Sequence, residues 1–109
     1  LVGAKKAKEL IFTGDIIEAS EAERIGLVNK VVPAEKLDAA VDEIIGKLIR
    51  KSPVALGLAK SAINKSMSTD LTAGLSYEFE LFALCFSTED LKEGIRAFLQ
   101  KRMPEFKGK

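Results

Sequence analysis

Residues Thr13–Val32 read TGDIIEASEAERIGLVNKVV. The stretch carries no histidine, no cysteine and no glycine-rich phosphate loop, yet its punctuation is dense. Thr13-Gly14-Asp15 is a helix stop, with Gly14 the natural left-handed residue. Ser20 followed three residues later by Glu23 is a capping-box pattern. It predicts a short helix over EAERI that ends at Gly26. LVNKVV is then apolar and β-branched enough for one short strand or an extended connection, closed by Pro33.

Upstream, VGAKKAKELIF is built of good helix formers, with Val2, Ala7, Leu10 and Ile11 at roughly helical spacing. Downstream, residues 35 to 50 form the clearest amphipathic pattern. Leu37, Val41, Ile44, Ile45 and Leu48 share one arc, and Asp38, Asp42, Glu43, Lys47 and Arg50 the other. Glu43 and Lys47 are ordered correctly for an i,i+4 pair. Ser52-Pro53 gives an N-cap with proline at the first helical position, opening a helix that runs to about Met67. Asp70 is placed to cap its successor.

Leu71–Phe86 departs from this pattern. Leu71, Leu75, Phe79, Phe82 and Phe86 make one apolar stripe; Tyr77, Leu81 and Leu84 make a second. A surface helix needs one apolar face, so this helix is expected to be covered on both sides. In the last helical pattern, EDLKEGIRAFLQKR, Leu91, Ile95, Phe98 and Leu99 are expected to point inward. Pro104 ends it and leaves a polar tail, EFKGK. The expectation is a mainly α fold of five or six helices with at most one short strand.

Composition narrows the chemistry. The length, 109 residues, suits one domain. Hydrophobic residues make up 47% and charged residues 30%, an ordinary globular balance. With 17 basic and 16 acidic side chains there is no bias toward nucleic acid or an anionic membrane. No apolar run approaches the roughly 20 residues of a spanning helix. The single cysteine, Cys85, excludes an internal disulfide and fits a reducing compartment. It lies in an apolar helical stretch, where packing is the expected role. The lack of histidine removes Ser-His-Asp and Cys-His catalysis and most zinc sites. No catalytic residue and no metal ligand is predicted. The chain begins LVGAKKAKEL, inside a predicted helix and without methionine, which suggests a piece of a longer protein.

One pair of residues points to a ligand. Phe98 and Lys101 are three apart on the last predicted helix, hence surface neighbours. An aromatic wall beside a cationic head suits a molecule with an apolar chain and a phosphate; the plainer reading is a core phenylalanine next to a solvated lysine.

AKELIFTGDIIEASEAERIGLVNKVVP closely resembles the C-terminal part of the enoyl-CoA hydratase (crotonase) family. CFSTEDLKEGIRAFLQKRMPEFKGK looks like that family's last helix and tail, and SPVALGLAKSAIN like the helix between. The resemblance covers essentially all 109 residues. It implies the helical domain that caps the acyl-CoA site and mediates oligomerisation, here over residues 1–109 with the ββα-spiral catalytic core absent. That core would supply the oxyanion donors and the two glutamates, so the piece alone is expected to be inactive. The implied parent is a lyase of fatty-acid metabolism, cytoplasmic, a trimer or dimer of trimers. Its substrate is a coenzyme A thioester; no cofactor, nucleic acid or membrane partner is implied. Phe98 and Lys101 match residues lining the acyl-CoA site, with Lys101 meeting a CoA phosphate bound mainly by a neighbouring subunit. Alternatives are another CoA enzyme of the family (an isomerase, a hydrolase, or a fusion with a 3-hydroxyacyl-CoA dehydrogenase) and a stand-alone helical assembly module.

Overall fold

The computed structural model describes residues 1–109. It contains α1 (Gly3–Thr13), α2 (Ala19–Arg24), a 3-10 turn (Ala34–Lys36), α3 (Leu37–Leu48), α4 (Pro53–Ser66), α5 (Leu71–Cys85) and α6 (Glu89–Leu99), and no strand. The chain is mainly helical. It divides into two compact units, Leu1–Val41 and Asp42–Lys109, with α3 running through the division.

In the first unit, α1 stops where expected. Gly14 adopts φ 68° and returns its N–H to the Leu10 carbonyl at 3.1 Å, a left-handed cap that a side chain would disfavour. The capping box does not form. Glu18 is the N-cap of α2 and no side chain bonds the free amides there, so Ser20 lies inside the first turn. Glu21 pairs instead with Arg24, Nε to Oε2 at 2.6 Å. Gly26, φ 75°, ends the helix: its N–H bonds Glu23 O at 3.0 Å and the Leu27 N–H bonds Ala22 O at 2.8 Å. This is a Schellman motif. It explains why LVNKVV makes no strand: the Leu27 and Val28 amides both turn back to Ala22, and the chain then runs through bends to Pro33.

In the second unit the local signals hold. Ser52 Oγ accepts the Ala55 N–H at 3.2 Å with Pro53 at the first position of α4. The Asp70 carboxylate accepts the Ala73 N–H at 2.9 Å and opens α5. Glu43 and Lys47 meet at 2.6 Å. Helices α4 and α5 pack against each other, with Leu81 buried and Phe82 edge-on to Phe86 at 5.2 Å. The two stripes of α5 fare differently. Leu71, Leu75, Phe79, Phe82 and Phe86 are all exposed, whereas Tyr77 is half-buried, Leu81 buried and Leu84 exposed. Cys85 is half-buried.

The inward face expected of α6 is corrected. Leu91 is half-buried, but Ile95, Phe98 and Leu99 are exposed, and the buried positions are Asp90 and Ala97. The reason lies in the tail, which is no loose end. Phe106 lays its ring over Gly94, about 3.5 Å from where a β-carbon would stand. Buried Asp90 accepts the Ser52 hydroxyl at 2.6 Å and the amides of Lys107 at 2.7 Å and Gly108 at 3.0 Å. Its own N–H donates to Lys109 O at 3.0 Å. One carboxylate thus ties the start of α4, the start of α6 and the last residues together, and the apolar arc of α6 stays open.

Buried apolar residues number only Ala22, Leu81 and Ala97. Each large apolar side chain left open would contribute about 1.5–3 kcal/mol on burial, so surfaces of this extent mark places where something else docks. No helix is long and apolar enough to cross a membrane.

Candidate ligand edge at the end of the last helix

Helix α6 is well founded at its start. Thr88 Oγ1 accepts the Leu91 N–H at 3.1 Å, and Glu89 and Asp90 place negative charge in the first turn, where the helix dipole favours it. Its end is unusual. The Lys101 N–H bonds Phe98 O at 3.2 Å and the Arg102 N–H bonds Ala97 O at 3.0 Å. That is a second Schellman motif, with Lys101 at the left-handed position, φ 53°. It is the one non-glycine residue of the chain with positive φ.

The structure therefore joins Phe98 and Lys101, but not as two positions on one helix surface. The helix ends at Leu99, and Lys101 projects from the turn that closes it. Phe98 is 82% exposed, with Leu99 and Met103 also open beside it. An apolar patch ending in a cation is the arrangement expected for an amphiphilic anion. Lys101 is itself exposed. Arg102 is committed elsewhere. Its Nη1 and Nη2 grip Glu93 Oε1 and Oε2 at 2.6 and 3.0 Å, its Nε donates to Gln100 Oε1 at 2.7 Å, and Nη1 also reaches Met103 O at 3.1 Å.

The perturbed carboxylates are explained by structure, not reactivity. The Arg102 guanidinium, with the Glu105 N–H at 3.0 Å, lowers the Glu93 pKa from 4.5 to about 2. The Ser52 hydroxyl, opposed by burial and helped by the tail amides, holds Asp90 below its ordinary value. Each is saturated by donors of this chain, which leaves neither poised for proton transfer. No cluster of histidine, cysteine and carboxylate side chains could hold a metal.

A separate hollow of the second unit lies elsewhere. It is an open apolar groove of about 1080 Å3 between α4 and α5, reaching Leu91 and Phe106, and neither Phe98 nor Lys101 lines it. Sequence reading missed the Glu93–Arg102 fork and the Asp90 hub. Nine residues separate Glu93 from Arg102, which no helical spacing would pair.

A model of the enoyl-CoA hydratase/isomerase family matches residues 1–109. The crotonyl-CoA hydratase of Syntrophomonas wolfei is 49% identical over 106 residues, 97% of this chain and 41% of that protein. The short-chain-enoyl-CoA hydratase of Clostridium acetobutylicum is 50% identical over 105 residues, 96% of this chain and 40% of that protein. The crystal structure of an enoyl-CoA hydratase from Bacillus anthracis superposes with a TM-score of 0.95 at 42% identity, covering 100% of this chain and 42% of its own. The chain thus spans about two-fifths of the length of these relatives.

Proposed function

The chain belongs to the enoyl-CoA hydratase/isomerase family, and on that premise we propose that it is the C-terminal helical domain of an enoyl-CoA hydratase. The whole enzyme adds water across the α,β-double bond of an enoyl-CoA and gives the 3-hydroxyacyl-CoA. The chemistry resides in a catalytic core beyond these residues: backbone donors there hold the developing enolate oxygen, and carboxylates there move the protons. Helices α1 to α6 cap the acyl-CoA site and present their open apolar faces to that core and to neighbouring subunits of a homo-oligomer, a trimer or dimer of trimers. The coenzyme A thioester is the substrate, and no further cofactor takes part.

The observation that carries the ligand role is the end of α6, where exposed Phe98 stands beside a lysine held in the left-handed region. Such a conformation costs an L-residue about 1–2 kcal/mol, and strain of this kind gathers at ligand clamps. Phe98 offers an apolar wall, and Lys101 offers its ammonium to a phosphate of coenzyme A. Crotonyl-CoA hydration followed by absorbance tests the reading. The 109-residue chain alone gives no turnover. In the enzyme that carries it, Lys101→Ala raises KM for crotonyl-CoA on the order of tenfold, the worth of one hydrogen bond between charged groups. Turnover by the isolated chain at an enzymatic rate, or an unchanged KM, sinks it.

A further inference from the structure

Lys101 sits in a turn that its own backbone disfavours. Two backbone hydrogen bonds close its turn, at 3.2 and 3.0 Å, and the left-handed backbone opposes them. What stabilises the turn from outside is Glu93, a residue of α6 itself, eight positions before Lys101. Its two oxygens take the two ends of the Arg102 guanidinium at 2.6 and 3.0 Å, and Oε1 also takes the Glu105 N–H at 3.0 Å. The same guanidinium reaches back to the Gln100 side chain and forward to the Met103 carbonyl. Residues on both sides of Lys101 are therefore fastened, through one fork, to a helix position four residues before Ala97, whose carbonyl closes the turn. A bidentate carboxylate–guanidinium pair fixes direction as well as distance.

We propose that Glu93 is a positioning residue for coenzyme A binding: through Arg102 it sets the left-handed turn that aims the Lys101 ammonium at the nucleotide phosphate. The proposal rests on the ligand role of Lys101 given above. It assigns Glu93 no contact with substrate. Its effect is confined to the phosphate-bearing half of the molecule, whereas a general loss of folding would affect every substrate alike.

Two thioesters separate these cases: crotonyl-CoA, and crotonyl-pantetheine, which lacks the nucleotide and its phosphates. In the enzyme that carries this chain, Glu93→Gln raises KM for crotonyl-CoA about three- to tenfold, in the range of couplings between contacting residues. It leaves kcat and all parameters for crotonyl-pantetheine as they were. Arg102→Lys, which keeps the charge but loses the fork, gives the same signature. On a Lys101→Ala background Glu93→Gln adds nothing. Equal damage to both esters, or no change in KM for crotonyl-CoA, overturns the positioning role. If Lys101→Ala alone leaves that KM unchanged, the ligand role of Lys101 fails and the proposal fails with it. Thermal unfolding of each variant confirms that the fold is retained.

Discussion

The chain builds the same turn twice, once with glycine and once with lysine. At the end of α2 the bonds run from Gly26 to Glu23 at 3.0 Å and from Leu27 to Ala22 at 2.8 Å; at the end of α6 they run from Lys101 to Phe98 at 3.2 Å and from Arg102 to Ala97 at 3.0 Å. Both turns hang on a buried alanine, Ala22 or Ala97. They differ in what holds them. Glycine reaches φ 75° without steric penalty, so the first turn is closed by backbone bonds from Gly26, Leu27 and Val28. Lysine at φ 53° is disfavoured, and the second turn is braced by Glu93, Arg102 and Gln100. A residue kept where glycine would be easier points to use of its side chain, and the brace points to use of its direction.

Exchange of residue type at the two turns breaks the comparison in opposite senses. Gly26→Val brings the largest change. A β-carbon at Gly26 meets nothing within 4 Å, so the loss is purely conformational. It amounts to roughly 2 kcal/mol for a β-branched residue forced into the left-handed region. Urea unfolding followed by circular dichroism measures it, and a loss near zero would mean that the turn relaxes instead. Lys101→Gly has the opposite sign and a smaller size. Removing the strain, less the greater freedom glycine has when unfolded, gains up to about 1 kcal/mol. The same substitution weakens coenzyme A binding. A variant more stable and worse at binding is the mark of a residue retained for its side chain; a Lys101→Gly variant that is less stable refutes the strain account.

What sequence could show follows the range of the interactions. The caps at Ser52 and Asp70 and the stops at Gly14 and Gly26 depend on groups within five residues, and each was readable. Ser20 shows the limit even there. Its spacing to Glu23 fits a capping box, but the chain enters α2 through Glu18, one residue ahead of Ala19, and the Ser20 hydroxyl caps nothing. The run Leu27–Val32 has strand composition, but its first amides were already taken by the turn. The sequence pairs Phe98 with Lys101 on one helix surface, but the helix stops between them at Leu99. Asp90 was unreadable as a hub: its partners lie 17, 18 and 38 residues away, beyond any periodicity. The expectation of an inward apolar arc on α6 failed for the same reason. Tail residues fold back onto the helix, and no pattern within the helix announces them.

Acid gives the finest test, because the Glu93 brace of the lysine turn titrates. The Glu93 pKa is lowered from 4.5 to about 2 by the Arg102 guanidinium and the Glu105 N–H. A carboxyl with a lowered folded pKa binds fewer protons folded than unfolded, so its contribution is complete above about 4.5 and fades as pH falls toward 2. The side chain of Glu93 is 18% exposed and that of Arg102 41%, so water screens the pair and the total effect on stability is small. A local signal is sharper than a melting curve. The Glu105 amide, hydrogen-bonded to Glu93 Oε1 at 3.0 Å, should titrate in nuclear magnetic resonance with a midpoint of about 2. The Gly26 amide, bonded to a backbone carbonyl, should not follow that midpoint. A Glu105 amide that instead titrates near 4.5, the ordinary glutamate value, would show that the fork is open in solution. Lys101 would then be held by the two backbone bonds of its own turn, without the brace.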